Sequence, residues 1–308
     1  MRTLSKSLLG IFLLTFTAIS WAACPEGTKN NYKGECVPVA GSESSASSGS
    51  LSSGSGWNFR RSLPTGAKKH SYQVVSAPDH PVRYGDKSER FEVRPGDCTS
   101  SKWKGGYNDC KNDRERSELE QTKYKNCSVP YCGPWQRQGE EYWYRWSIYI
   151  PKDHRNLPPV HVVYGQFHQF QFKTLKGCPP AFQLIEKTYD GGLMLAIIQD
   201  GRFHWNRLLP SKQFVGKWND IVVHARWSGG NDGWFSVWVN GDQKVDYQGK
   251  TMACKGLASS NIDVYFKYGV YRAAVSENPD SKTVTTIAYY DGVVRSKSKE
   301  GMFDPLPE

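Results

Sequence analysis

The sequence predicts an all-β chain folded as a β-sandwich or jelly roll, and three observations carry that expectation. Short runs alternate polar and apolar residues with a period of two, as strands do when only one face is buried. Asn240-Gly241 stands between two such runs and is the strongest short signal for a hairpin. No stretch of useful length shows the 3.6-residue apolar period of an amphipathic helix.

Taken in order, the 308-residue chain opens with Arg2 and Lys6, an apolar run from Leu8 to Ile19, and then Ser20-Trp21-Ala22. That order reads as a signal peptide spanning residues 1–22, cleaved after Ala22. Its apolar run of about 12 residues is too short for a membrane span, which needs roughly 20. Residues 23–40 form a small segment bounded by Cys24 and Cys36. Residues 41–56 are almost all Ser and Gly, and cannot bury enough surface to offset chain entropy, so a flexible linker is expected. Residues 57–308, about 250 in number, suit one large all-β domain.

Within that domain, Tyr142, Tyr144, Trp146 and Ile148 alternate with Trp143, Arg145, Ser147 and Tyr149 in a strand that stops at Pro151. Leu193 to Gln199 is a continuous apolar run suited to a buried strand. Ile221, Val223 and Ala225 alternate with Val222, His224 and Arg226. Phe235 to Val239 leads through Asn240-Gly241 into its hairpin partner, Gln243 to Tyr247.

The formal net charge is +10. Removing residues 1–22 takes away Arg2 and Lys6 and leaves +8. A basic exported protein suits an acidic partner, such as a polyuronate or sulfated glycan. No phosphate-binding glycine loop or zinc-finger spacing is present, so a nucleic-acid partner is not expected. All eight cysteines follow the cleavage site, which argues for disulfides in an oxidising compartment, extracellular or periplasmic. Pairing neighbours gives Cys24–Cys36, Cys98–Cys110, Cys127–Cys132 and Cys178–Cys254, one of about 105 arrangements. No C-x-x-C or His-x-x-x-His spacing supports a metal site.

Three segments carry the chemistry: Arg116-Ser117-Glu118-Leu119, Gln166-Phe167-His168 and Tyr265-Phe266-Lys267-Tyr268-Gly269-Val270-Tyr271. Each reads as a strand. Alternation puts Arg116 with Glu118, Gln166 with His168, and Lys267 with Tyr271. Three strands of one sheet can therefore line a groove with these polar side chains.

These segments resemble the motif regions of the alginate lyases of polysaccharide lyase family seven, roughly R-[ST]-E-L, Q-[IV]-H and Y-F-K-x-G-x-Y-x-Q. The chain departs from that pattern at Arg272-Ala273, where Asn-Gln is usual. There, and from Gly216-Lys217-Trp218-Asn219-Asp220 to Trp238-Val239-Asn240-Gly241, it looks more like the glucuronan lyases and the heparin-lyase-like group. The resemblance runs from about Arg114 to the C-terminal end. It implies a concanavalin-like jelly roll with a concave substrate groove, and β-elimination on a uronic-acid polymer, alginate or glucuronan; an open groove of that kind would make cleavage endolytic.

By the same resemblance, Arg116, Gln166, His168 and Tyr271 fall on catalytic positions. Arg116 and Gln166 suit neutralisation of the uronate carboxylate. Either His168 or Tyr271 can be the base, with the Tyr271 phenol expected to have its pKa lowered by nearby cations. Lys267, about 13 Å from Tyr271 along the strand, is expected at a neighbouring subsite, and Glu118 is expected to orient Arg116. Arg114, Arg145 and Arg272 are further candidate substrate contacts, with His224 and Arg226 as secondary ones. No cofactor is implied, since protein cations can neutralise the carboxylate, and a monomer is expected.

Each residue has a plainer reading: a surface ion pair for Arg116 and Glu118, a structural histidine, a packed tyrosine. A lectin-like module on the same fold would keep aromatic and basic contacts without needing all four catalytic positions. A heparin-type lyase remains a further alternative. A glycoside hydrolase would need paired carboxylates, and no such motif occurs.

Overall fold

The computed structural model describes residues 28–30, 36–38, 59–102, 106–121, 135–171, 176–186, 189, 191–199, 201–252, 254 and 262–304. The expected signal peptide and linker, Cys24, and the Cys127–Cys132 pair lie outside the described residues. The chain divides into two compact units, Met1–Ser45 and Ala46–Glu308. In the first, β1 (Thr28–Asn30) and β2 (Cys36–Pro38) pair antiparallel.

The second unit holds the remaining strands: β3 (Phe59–Arg61), β4 (Tyr72–Ser76), β5 (Lys87–Val93), β6 (Arg114–Gln121), β7 (Glu141–Tyr149), β8 (His161–Gln171) and β9 (Lys176–Glu186). There follow β10 (Gly192–Gln199), β11 (Arg202–Pro210), β12 (Trp218–Arg226), β13 (Trp234–Val239), β14 (Asp242–Gln248), β15 (Ile262–Ala273) and β16 (Thr286–Ser296). Among the described residues the one α-helix is α1 (Ser211–Phe214), and no helix is long and apolar enough to cross a membrane.

These strands form two seven-stranded antiparallel sheets, ordered β11-β10-β9-β8-β15-β6-β3 and β14-β13-β12-β7-β16-β5-β4. They make a jelly-roll sandwich. Tyr144, Trp146 and Ile148 of β7 face its interior, as their alternation predicts. Aromatic rings join the layers: Phe182 of β9 stacks on Phe235 of β13 with centroids 3.7 Å apart, and Trp146 meets Phe266 of β15 at 4.9 Å. Burial of each such ring contributes about 1.5–3 kcal/mol. At the β13–β14 hairpin, Asn240 and Gly241 take φ of 52° and 85°, the paired positive values of a type I′ turn. Two expected disulfides are present, Cys98–Cys110 and Cys178–Cys254.

Candidate active site

The face of the first sheet that points away from the core carries a cavity of about 400 Å³. Its floor is set by register. Across β6, β15, β8 and β9, one row reads Glu120, Lys267, Gln166, Gln183; another reads Arg116, Tyr271, Val163, Ile185. On β8 the phase depends on an irregularity, because pairing with β9 slips between Val163 and Gly165. Val162, Tyr164 and then Phe167 are core residues. The extra residue moves Gln166 and His168 onto the outer face, a use to which β-bulges are commonly put.

Arg116, Gln166, His168, Lys267 and Tyr271 all line this cavity, with Tyr107, Glu120, Gln183 and Tyr265 among their neighbours. Arg116 is 6 % exposed. Its Nε and Nη2 donate to the two carboxylate oxygens of Asp109, both at 2.7 Å, and Nη1 donates to Glu118 Oε2 at 3.0 Å. The other oxygen of Glu118 accepts from Gln166 Nε2 at 2.6 Å. Glu118 therefore positions Arg116 and Gln166 together. It is fully buried and does not line the cavity, so it supports these two side chains from behind rather than touching substrate.

The bond from Gln166 to Glu118 passes over β15, which lies between β8 and β6. Gly269 stands opposite Glu118 at that crossing. Its φ is +132°, and a Cβ there would sit 2.3 Å from the Ser117 carbonyl oxygen. Only glycine fits.

Two proton-carrying groups have distinct states. His168 Nδ1 lies 3.0 Å from the Gln169 carbonyl oxygen. A carbonyl only accepts, so Nδ1 carries the proton and Nε2 keeps the lone pair. Burial, with help from the charges of Lys267 and Arg116, pushes the imidazole pKa down to about 3. His168 is thus neutral at ordinary pH. For Tyr271 the expectation was a lowered pKa, and the structure reverses it. The Arg116 guanidinium lies 4.3 Å from the ring centre and favours the phenolate, but burial outweighs it and raises the pKa. Sequence reasoning counted the cations and had no measure of desolvation.

Lys267 lies within the cavity wall, its Nζ 3.0 Å from Ser62 Oγ and 3.7 Å from Glu120 Oε2. Arg114 shares the outer face of β6 with Arg116 and donates to the Asp113 carbonyl, but it does not line the cavity. Arg272 does not reach the groove. As the neighbour of Tyr271 it points to the opposite side, fully buried, donating to the carbonyls of Val284 and Ser281 beside Glu115. Arg145 is also corrected: it belongs to the other sheet and binds Gly301 O and Tyr84. His224 and Arg226 lie on that sheet too, His224 stacked on Trp143 and bonded to Glu141. Sequence reading missed Asp109, Tyr107 and Gln183. The signal for Asp109 was its place beside Cys110, and for Gln183 the alternation Phe182-Gln183-Leu184.

Comparison with known families places this architecture among carbohydrate-cleaving enzymes. The family model described as polysaccharide lyase matches residues 48–294, most of the chain. The chain belongs to that family and is a polysaccharide lyase. No curated protein sequence matches it. Among solved structures it is similar to the endo-β-1,4-glucuronan lyase of the fungus Trichoderma reesei, with 18 % identity over 82 % of this chain and 94 % of that one, TM-score 0.50. It is also similar to the family 7 alginate lyase A1-II' in complex with product, with 17 % identity over 78 % of this chain and 95 % of that one, TM-score 0.52. At such identities the likeness is one of fold.

Proposed function

We propose that this enzyme is exported, acts as a monomer, and cleaves a uronic-acid polymer endolytically by β-elimination. The observation that carries the reading is the convergence of Arg116, Gln166, His168 and Tyr271 on one cavity. Glucuronan and alginate, the substrates named for the two structural neighbours, are both uronic-acid polymers.

In the reaction a base removes the C5 proton, its electrons form the C4–C5 double bond, the C4–O4 bond breaks, and an acid returns a proton to O4. The C5 proton is reluctant because negative charge develops beside an existing carboxylate. Arg116 and Gln166 each keep a further N–H beyond those donated to Asp109 and Glu118, and these donate to that carboxylate and to the enolate charge that develops on it. His168 offers an unprotonated Nε2, and Tyr271 offers a phenolic proton. As carboxylate enters, its charge raises the His168 pKa toward that of a useful base.

A separate base and acid suit a residue whose H5 and O4 lie on opposite ring faces, as in guluronate. In mannuronate or glucuronate they lie on one side, and Tyr271 would first have to lose a proton that burial holds on it. Guluronate-containing alginate is therefore favoured over glucuronan as the substrate. Arg272, where the motif leans toward glucuronan lyases, is buried behind its strand and does not alter that choice. We place the lyase domain at 57–308, after a signal peptide at 1–22, a Cys-bounded segment at 23–40 and a linker at 41–56.

The test is to incubate the mature protein separately with polyguluronate, polymannuronate, glucuronan and heparin, and follow ultraviolet absorbance. Elimination creates a conjugated unsaturated uronate that absorbs. A rise fastest on polyguluronate is expected; binding with no rise on any polymer would overturn the reading in favour of a lectin.

A further inference from the structure

The outer face of the catalytic sheet continues beyond the cavity to its edge strand. Register extends both rows across β10 to β11. One runs Lys267, Gln166, Gln183, Ala196, Trp205; the other runs Tyr271, Val163, Ile185, Met194, Arg207. Between the cavity and the edge, Val163, Ile185, Met194, Ala196 and Ile198 form an apolar floor packed against Tyr271. At the edge, Phe203 pairs with Ile198 and Trp205 with Ala196, so both rings share the face of the active site. They stand parallel, with centroids 5.5 Å apart and planes inclined by 10°. Phe203 is 50 % and Trp205 39 % exposed, and Arg207 beside them is exposed as well.

An exposed aromatic pair on an edge strand is a liability unless something uses it, since edges are normally blunted with charge. We propose that Phe203, Trp205 and Arg207 form a distal subsite that holds a uronate unit of the same polymer, remote from the bond being cleaved. The apolar C–H face of a sugar packs on an aromatic plane, and the carboxylate of that unit meets Arg207. Four strand steps of about 4.8 Å separate β15 from β11, roughly 19 Å, which is several sugar units. The apolar floor between lets the chain pass without fixing it. The subsite rests on the reading that the substrate is an acidic polysaccharide.

The experiment compares wild type with Phe203→Ala, Trp205→Ala and the double variant on alginate and glucuronan, each as long polymer and as size-fractionated tetrasaccharide. Loss of the subsite is expected to raise KM for the polymer roughly three- to tenfold, leaving its kcat in place. A tetrasaccharide cleaved at its central linkage over Tyr271 extends only two units toward the edge, stops short of Phe203 and Trp205, and is expected to show no such rise. Trp205→Phe, which keeps a ring, is expected to hold polymer KM within about twofold of wild type, and guards against a folding artefact. Unchanged polymer KM, or equal losses on polymer and tetrasaccharide, would overturn the subsite. A wild type that eliminates neither polymer would instead remove the reading on which the subsite rests.

Discussion

Asp109 holds Arg116 with both carboxylate oxygens, each 2.7 Å from a guanidinium nitrogen, and neither residue is open to solvent. Asp109 is itself fixed. It sits beside Cys110 in the loop closed by Cys98–Cys110, and accepts from Thr99 Oγ1 at 2.9 Å. A loop outside the sheet thus aims the main cation of the cavity, and the disulfide holds the loop.

Asp109→Ala is therefore expected to cost both stability and turnover. Arg116 would keep Glu118 but lose its bidentate partner, and stripping one side of a buried pair typically costs about 3–5 kcal/mol. Urea unfolding measures the loss. A change below about 1 kcal/mol would mean that the pair is not what holds Arg116.

Gly269→Ala is expected to damage the site from behind. The new Cβ would collide with the Ser117 carbonyl at a φ of +132°, so β15 must move away from β6, and the Gln166–Glu118 bond with it. Backbone strain of this kind costs on the order of 1–3 kcal/mol. Activity should fall further than the lost stability explains, read as kcat at a temperature where the variant is folded. An alanine variant with wild-type kcat would contradict this.

The pH profile has a definite sign. His168 must be unprotonated in the free enzyme, so kcat/KM falls only as pH drops through its pKa, pushed down to about 3 rather than the usual histidine value near 6.5. Tyr271 must be protonated, so the alkaline loss lies above the ordinary phenol pKa of about 10. Neither group should produce an inflection in kcat/KM between roughly pH 5 and 9. An acid limb centred near 6.5 would show a histidine in water, not in this cavity. Lys267→Met removes one of the charges that depress His168 and should move the acid limb upward.

Much of this was legible in the chain. Strand β7 was expected at 142–150 and lies at Glu141–Tyr149; β12 and the Asn240-Gly241 hairpin fall where alternation and turn chemistry put them, and β10 where a continuous apolar run did. Alternation also put Arg116, Gln166, His168, Lys267 and Tyr271 on faces that meet in one cavity. It failed where a tertiary fact decides. A period of two says which face Arg145 takes, but not which sheet its strand joins. Applied strictly, it would have turned Arg272 away from the groove, since adjacent residues face oppositely. Asp109 lies in a loop with no period to read, and the raised pKa of Tyr271 reflects burial that only packing creates.

The most direct test of the central claim is the Tyr271→Phe variant, assayed for unsaturated product and, separately, for affinity to the polymer that the wild type cleaves. Removing one hydroxyl leaves the ring, its packing and the Arg116 contact in place. Turnover is predicted to fall at least about a hundredfold, the usual scale for a lost general acid, with affinity held. A variant that turns over at the wild-type rate would contradict the account, because the proton delivered to O4 would then come from elsewhere.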